Sequence, residues 1–322
     1  MRVGAIDIGS NSIRLLVAGI PGGEPWGPDL ETVARAGEAC RLGKGLHETG
    51  RVDDDLVERA AVVVAEFMRR ARSLGARYVV AAATAALRRA TNGASAAERI
   101  SEVAGVPVRI LSEADEARLV YRSVVIGLGQ GLRASQSVVF DLGGGSTEVA
   151  SGVGERLGRW TSLPFGAVTL TERLGTGDPP SPTELAKSRE WVRDELMRGC
   201  ASFPDRVAAL AGVGGTITVL AALEAGMTMY DPTQLEGAYM PRERVLAWVD
   251  RIIRSTQAER RAMPVMGEGR ADIVGTGALV VEGLLERFQA PGLICSTQGL
   301  RYGLARLAAE EWRVLKGDDP AA

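Results

Sequence analysis

Two short segments, DIGSNSI at residues 7–13 and DLGGGST at residues 141–147, are variants of one sequence pattern. Each follows an apolar run, residues 3–6 in one case and 138–140 in the other, and each precedes a second apolar stretch. This order is typical of a buried strand, a glycine-rich turn and a returning strand. The repetition predicts two related lobes, each built around one of the turns.

The glycines of these turns suit phosphate binding. Glycine lets the backbone turn with φ > 0 and approach a ligand, and successive N–H groups in such a turn form a nest for an anion. Asp7 and Asp141 lie at the ends of the first strands, and a carboxylate beside phosphate requires a cation between them. One such turn alone is more often an ordinary hairpin. The pair in matching context favours two lobes that hold a phosphate chain from both sides.

The composition is that of a globular protein. The 322 residues suggest two domains, and 46% of them are hydrophobic. A formal net charge of −2 leaves no basic field for nucleic acid or anionic membranes. The chain contains no apolar run of membrane-spanning length and no signal segment before its first strand. We therefore expect a cytoplasmic protein without nucleic-acid or membrane partners.

Cysteine and histidine are too few for several kinds of site. Cys40, Cys200 and Cys295 lie far apart without a C-x-x-C motif, which indicates a reducing compartment and buried free thiols rather than disulfides. His47 is the only histidine and is expected in a solvated loop. A zinc site with several histidines is therefore excluded.

Strands alternate with helices in both halves, which indicates α/β sheets with covered faces. The longest helix is predicted to begin with Asp53 or Asp54 as its cap and to stop at Gly75. Further helices are predicted over residues 84–90, 97–103, 113–127, 183–200, 217–224, 242–256, 272–288 and 300–312. Further strands are predicted over residues 78–83, 108–111, 207–213 and 293–295.

Glu116 is a candidate general base. Ser112 and Asp115 resemble a capping box at the start of the helix over residues 113–127, so Glu116 falls at the end of the first turn. The residues three, four, seven and eight positions later are mostly apolar. Glu116 then tends toward an interior or cleft, where a carboxylate is paired, neutral or functional. Facing the two turns it could deprotonate a water; the alternative is a solvated surface residue.

Three further positions have two interpretations each. Arg88 could clamp phosphate oxygens in a bidentate fork or be an exposed helix charge, an interpretation that its neighbour Arg89 fits well. The backbone donors of the strand-to-helix turn GVGGT at residues 212–216 could hold phosphate or a nucleotide, or the turn could serve only tight packing. Glu148, seven residues after Asp141, could reach a metal held by Asp141 or face solvent. No P-loop motif occurs.

Together these segments resemble the exopolyphosphatase/guanosine pentaphosphate phosphohydrolase (Ppx/GppA) phosphatase family of the actin and hexokinase superfamily, in its short two-domain form. The similarity runs along nearly the whole chain. It is carried by DIGSNSIRL (residues 7–15), RLGKGL (41–46), TAALRRATN (84–92), SEADEARL (112–119), DLGGGSTE (141–148), SLPFGAV (162–168), GVGGT (212–216), RAMP (261–264), RAD (270–272) and GLR (299–301).

The resemblance implies an α/β fold of two RNase H-like domains with an interdomain cleft. We expect residues 1–122 plus 300–322 to form the first lobe and residues 123–299 to form the second. The implied activity is stepwise hydrolysis of the terminal phosphoanhydride of inorganic polyphosphate, with Mg²⁺ or another divalent cation. The family also allows a homodimer.

The family's functional positions fall on residues of both turns and of the helix over residues 113–127. Its catalytic glutamate falls on Glu116, and its metal carboxylates fall on Asp141 and Glu148, to which the turn pattern adds Asp7. Its phosphate contacts fall on Ser10, Asn11, Ser12, Arg88, Gly144, Gly145 and Ser146. The glycine turn adds Gly214, Gly215 and Thr216 as a candidate phosphate or nucleotide site.

The chain departs from the family pattern in three places. A Ser-Gly pair is Ser112-Glu113 here and a following glutamate is Asp115, while the usual Leu-Arg-Glu-Gly near the end is LRYG at residues 300–303. Long members carry an additional C-terminal helical domain, which we do not expect in this two-lobe form. We therefore expect short polyphosphate chains to be the better substrates.

Three other activities remain open at the level of sequence. One is removal of the 5′ γ-phosphate of guanosine pentaphosphate, a nucleotide of the stringent response. Another is a regulator that binds guanosine tetraphosphate or polyphosphate with little turnover, against which the presence of Glu116, Asp141 and Glu148 argues. A sugar or acid kinase of the same superfamily is the third.

Overall fold

The computed structural model describes residues 1–129, 132, 136–267 and 269–317. The chain divides into two compact units, Met1–Ile126 with Leu300–Ala322 and Gly127–Gly299. Small parts of both predicted lobes, residues 130, 131, 133–135, 268 and 318–322, lie outside the described residues. The lobe boundaries inferred from the sequence, residues 1–122 plus 300–322 and residues 123–299, therefore stay a prediction.

Strands and helices alternate through the described residues. In chain order they are β1 (Arg2–Ile8), β2 (Ser12–Gly19), β3 (Glu31–Ala39), α1 (Leu46–Thr49), α2 (Asp54–Ser73), β4 (Val79–Ala83), α3 (Ala85–Arg89), α4 (Gly93–Ala104), β5 (Val108–Ile110), α5 (Glu113–Leu128), β6 (Gln136–Leu142), β7 (Thr147–Val153), β8 (Arg156–Leu163), α6 (Ala167–Leu174), α7 (Pro182–Gly199), β9 (Leu210–Gly214), α8 (Gly215–Glu224), β10 (Tyr239–Pro241), α9 (Arg242–Arg254), α10 (Gln257–Ala262), α11 (Val274–Arg287), β11 (Gly292–Cys295) and α12 (Leu300–Lys316).

The five-strand order of the first unit recurs in the second, which adds the antiparallel edge strand β10. Within the described residues the strand order is β3-β2-β1-β4-β5 in the first unit and β10-β11-β9-β6-β7-β8 in the second. The hairpin β1–β2 is antiparallel and β4 pairs with β1 in parallel; β6–β7 and β9 repeat this arrangement. The predicted α/β class with two RNase H-like sheets is confirmed, and each turn motif joins the first two strands of its sheet.

The cores form because the central strands are apolar on both faces and helices cover them. The helix α2 is the clearest case. Its N-cap Asp53 accepts hydrogen bonds from the N–H groups of Asp55 and Leu56, which satisfies donors that the first helical turn leaves over. Its apolar stripe is buried in the first core, at Val57, Ala60, Ala61, Val64, Phe67, Met68 and Ala71.

Six elements of the described residues were not predicted: β3, α1, β8, α6, β10 and α10. His47, which was expected in a loop, is exposed but lies in the four-residue helix α1. The strand β3 is the edge of its sheet and has no fully buried residue, so its sequence lacks the apolar alternation of a half-buried strand. The strand β8 is likewise at the edge of its sheet and largely exposed, so it also lacks that alternation. Helix α6 has only eight residues, which is too short to show a convincing helical period.

The three thiols are free and buried, as predicted, and we expect them to resist labelling in the folded protein. Burial raises the pKa of Cys200 to about 11 and, with a further contribution from Glu236, the pKa of Cys295 to about 12. Burial also raises the pKa of Cys40. Because the thiolate is the reactive form, Ellman's reagent at pH 8 should react slowly before unfolding and with all three thiols in guanidinium. A rapidly labelled thiol in the native protein would contradict this packing.

No helix in the described part of the chain is both long enough and apolar enough to cross a bilayer.

Candidate active site

The two glycine-rich turns have the same internal geometry. The N–H of Gly9 donates to the carbonyl of Ser12 at 3.1 Å, and the N–H of Gly143 donates to the carbonyl of Ser146 at 3.1 Å. A Cβ added to Gly9 would lie 3.1 Å from the Ser12 oxygen, and one added to Gly143 would lie 3.2 Å from the Ser146 oxygen. The two turns therefore share this hydrogen bond and leave little space for a side chain at the first glycine. Gly9, Gly143, Gly144 and Gly145 all lack a positive φ, so the expectation that the turn glycines need φ > 0 is wrong.

In the second unit, the start of α6 binds the carbonyl groups of the turn. The N–H of Ala167 donates to the Gly143 oxygen at 2.9 Å, and those of Val168 and Thr169 donate to the Gly144 oxygen at 2.9 and 3.1 Å. In a trans peptide the N–H points opposite to the C=O. The bonds to α6 therefore direct the following N–H groups of the turn to its other face, where they can form an anion nest.

In the first unit, the segment after β3, residues 40–43, donates hydrogen bonds to the carbonyl groups of the turn. The N–H groups of Cys40 and Arg41 donate to the Asn11 oxygen at 3.1 and 2.9 Å, and that of Gly43 donates to the Ser10 oxygen at 2.8 Å. Ser10 is buried, with 5% of its surface exposed. Both turns thus have carbonyls held from one side, an arrangement that suits phosphate on the other.

Two carboxylates accompany the second turn. Asp141 and Glu148 are direct partners in the β6–β7 register, so their side chains share one face of the sheet with Cβ atoms about 5 Å apart. Glu148 is 3% exposed, and the Ser162 hydroxyl donates to its Oε1 at 3.0 Å. Like charges in such a pair are destabilising without a nearby cation. Mg²⁺ is bound in proteins by one or two carboxylates with phosphates and waters, so this donor set fits it.

In the first turn, an arginine, Arg14, occupies the position that Glu148 has in the second. Asp7 is opposite Arg14 in the β1–β2 register, and Arg14 Nε donates to the Ser12 hydroxyl at 3.2 Å. Burial raises the pKa of Asp7, while Arg14 and Arg301 oppose that rise. Among the residues described, no group of three or more His, Cys, Asp or Glu side chains could hold a metal. A metal-binding role for Asp7 therefore stays a prediction.

Arg14 was missed by sequence reasoning, although its spacing could have revealed it. It follows Asp7 by the same seven residues that separate Glu148 from Asp141. The two turns therefore differ in charge: Asp141 lies opposite a second carboxylate, Glu148, whereas Asp7 lies opposite the guanidinium of Arg14.

Glu116 is buried in the first unit, with 5% of its surface exposed, and Arg88 binds it. Arg88 Nη1 donates to Glu116 Oε2 at 2.7 Å and to the Leu111 carbonyl at 3.0 Å. The capping interaction at the start of α5 is present, since the N–H of Asp115 donates to the Ser112 hydroxyl at 3.1 Å. The surface alternatives for Glu116 and Arg88 are thus wrong, and their chemical roles stay predictions.

The glycine turn at residues 214–216 joins β9 to α8 and is tightly packed. A Cβ at Gly277 would lie 2.3 Å from Thr216 Oγ1, so α11 approaches the turn closely. The Arg270 side chain lies over Gly215, 3.6 Å from a Cβ built there to Nε. The turn is therefore tightly packed, and Arg270 adds a positive charge that suits an anion. The packing does not decide between the two interpretations, so phosphate or nucleotide binding there stays a prediction.

Comparisons with known proteins agree with one another. The model of the Ppx/GppA phosphatase family matches residues 17–308. Exopolyphosphatase 2 of Mycobacterium tuberculosis is 34% identical over 322 residues, covering 98% of this chain and 97% of that protein. The crystal structure of the Aquifex aeolicus member of the Ppx/GppA family has a TM-score of 0.81 at 33% identity, covering 99% of both chains. An exopolyphosphatase structure from Cytophaga hutchinsonii has a TM-score of 0.85 at 23% identity, covering 98% of both chains, which is a likeness of fold.

Proposed function

The chain belongs to the Ppx/GppA phosphatase family, and from that premise we propose that it is an exopolyphosphatase that hydrolyses the terminal phosphoanhydride of inorganic polyphosphate. The observation that supports this most is the repeated turn with its carbonyls bound from behind. Each of the two anion nests suits one phosphate group. The named relative at 34% identity is an exopolyphosphatase, which favours polyphosphate as the substrate.

In this proposal the turns position the substrate. The backbone N–H groups and hydroxyls at residues 10–12 and 144–146 bind oxygens of the penultimate and terminal phosphates. Arg14 and Arg88 add guanidinium contacts of the kind that suit phosphate. Asp141 and Glu148 would hold Mg²⁺ or another divalent cation, which neutralises charge on the transferred phosphoryl group when it is bound.

Glu116 acts as the general base. Its carboxylate accepts a proton from a water, the water oxygen forms a bond to the terminal phosphorus, and the bridging P–O bond breaks. Orthophosphate and a polyphosphate shorter by one unit are the products. Arg88 holds Glu116 Oε2 at 2.7 Å, which fixes the direction in which the carboxylate points. In-line attack depends on such fixed geometry.

Guanosine pentaphosphate is the second candidate substrate, because its 5′ γ-phosphate ends in the same kind of anhydride. The glycine turn beside Arg270 is the feature that would suit its additional groups, and a role in the stringent response would follow. A binding regulator with little turnover is the third candidate, against which the buried Glu116 and Glu148 argue. We also propose a cytoplasmic location, since buried free thiols are typical of reducing compartments, and a homodimer.

Phosphate release from polyphosphates of defined length, with and without Mg²⁺, tests the proposal. We expect Mg²⁺-dependent release of orthophosphate and a higher kcat/KM on polyphosphate than on guanosine pentaphosphate. A higher kcat/KM on guanosine pentaphosphate would instead make that nucleotide the substrate. If neither compound releases phosphate, the remaining candidate is the binding regulator with little turnover. A kinase transfers its phosphoryl group to an acceptor other than water. Incubation with ATP and candidate sugar or acid acceptors is therefore the control for a kinase, and it should yield no phosphorylated acceptor. Comparing chain lengths in the same assay tests the expected preference for short chains.

A further inference from the structure

Glu236, in the loop between α8 and β10, holds the turn that follows β11. The Ser296 hydroxyl donates to its Oε1 at 2.9 Å, and the N–H and hydroxyl of Thr297 donate to its Oε2 at 2.5 and 2.8 Å. Hydrogen bonds to an ionised carboxylate are roughly twice as strong as neutral ones. Both carboxylate oxygens are thus used to hold two consecutive residues of one turn.

The same turn is attached to the sheet and to itself. The N–H of Ser296 donates to the Gly212 carbonyl of β9 at 2.9 Å, and the N–H of Gln298 donates to the Ser296 hydroxyl at 3.1 Å. Ser296 is completely buried and Thr297 is 8% exposed. Residues 296–298 are therefore held by these five hydrogen bonds, three of which go to the Glu236 carboxylate.

Gly299, the next residue, lies against Asp141. A Cβ built on Gly299 would lie 3.8 Å from Asp141 Oδ2 and 3.4 Å from the Val213 Cβ. Val213 is the register neighbour of Asp141 between β9 and β6. A side chain no larger than a methyl group would therefore fit between the backbone of residue 299 and the Asp141 carboxylate, and a shift of the turn would change the space beside that carboxylate.

We propose that Glu236 is a positioning residue for the carboxylate of Asp141. By holding Ser296 and Thr297 it places the Gly299 backbone, which limits the orientations open to the Asp141 side chain. The inference rests on the proposed function in one respect, that Asp141 binds a divalent cation. Groups that orient a metal ligand typically change metal affinity or activity by about 10–100-fold when they are removed.

Replacing Glu236 by alanine removes its hydrogen bonds and its charge, whereas replacing it by glutamine removes only the charge. The two variants together therefore distinguish the effect of the hydrogen bonds from that of the charge. In Glu236→Ala, we expect Mn²⁺ affinity, measured by EPR titration of the whole chain, and kcat/KM on polyphosphate to fall together by about 10–100-fold. Glu236→Gln should stay close to wild type. Its amide oxygen can accept both bonds from Thr297, and its NH₂ group can donate to the Ser296 hydroxyl.

Glu224→Ala is the matched control. Glu224 lies in the same unit and also accepts three hydrogen bonds, from Arg244 Nε and Nη2 at 2.9 and 3.0 Å and from Trp248 Nε1 at 2.8 Å. It is at the opposite end of α8 from the glycine turn. Its loss should lower thermal stability and leave Mn²⁺ affinity and kcat/KM unchanged.

Several results would overturn the proposal for Glu236. They are wild-type Mn²⁺ affinity in Glu236→Ala, a fall in kcat/KM without a fall in affinity, a Glu236→Gln variant as impaired as the alanine variant, and no Mn²⁺ binding by the wild type. Failure of the proposed function has a different signature. In that case the wild type releases no phosphate from polyphosphate, and the comparison of Mn²⁺ affinities alone decides the role of Glu236.

Discussion

Glu116→Gln is expected to lower kcat on polyphosphate by about 10²–10⁴-fold, the usual effect of removing a general base. This corresponds to roughly 3–5 kcal/mol of transition-state stabilisation. Glutamine has nearly the same shape as glutamate, and its amide oxygen can still accept the hydrogen bond that Arg88 Nη1 makes to Oε2 at 2.7 Å. The variant should therefore fold and bind polyphosphate as the wild type does. What it lacks is a group that can accept a proton from the attacking water.

Glu113→Gln provides the control for this variant. Glu113 is in the same turn of α5 and its Oε1 lies 3.8 Å from Arg88 Nε, but 46% of its side chain is exposed, against 6% for Glu116. A general loss of negative charge near Arg88 would impair both variants, whereas loss of the base would impair only Glu116→Gln. Steady-state kinetics, with circular dichroism melts to check folding, distinguish these cases. Turnover at the wild-type level in Glu116→Gln would remove Glu116 from the mechanism.

The features predicted correctly from sequence are those determined by residues close together in the chain. The two strand–turn–strand motifs were recognisable because each turn's internal bond, from Gly9 to Ser12 or from Gly143 to Ser146, joins residues three positions apart. Helix α2 was recognisable because its cap and apolar stripe are local. The inward orientation of Glu116 followed from the apolar residues on its own helix face.

The contacts that assemble the site join distant residues and left little trace in the sequence. The pairing of Arg88 with Glu116 joins α3 to α5, and no local pattern specifies it. The strand β8 was missed as an exposed edge, and with it the hydroxyl that Ser162 directs to Glu148. The dependence of the second turn on α6 was missed as well, since its bonds connect Gly143 and Gly144 to residues more than twenty positions later. Such contacts depend on tertiary packing, which propensity and periodicity do not specify.

Gly166→Ala is expected to lower kcat/KM by about 100-fold or more, because a displacement of about 1 Å at a reacting group has an effect of that size. Gly166 is the N-cap of α6, with φ −138° and ψ −171°, an extended conformation that alanine adopts without strain. The obstacle is steric. The added Cβ would lie 2.5 Å from the Gly143 oxygen and 2.7 Å from the Gly144 carbonyl carbon. Both atoms belong to the backbone of the phosphate turn, so the turn itself must move.

Two measurements distinguish a local shift of the turn from a general loss of folding: the unfolding free energy of Gly166→Ala, and the activity of a control variant at another glycine. Overpacking by one methyl group typically costs about 1–3 kcal/mol, so urea unfolding should show a folded, weakened Gly166→Ala protein. Gly275→Ala is the control: it lies in α11 of the same unit, and an added Cβ there meets no atom within 4 Å. It should keep full activity and gain up to about 1 kcal/mol from helix propensity. Full activity in Gly166→Ala would mean that the contact between α6 and the turn does not determine where phosphate binds, because the catalytic geometry would then have survived a forced shift of that backbone.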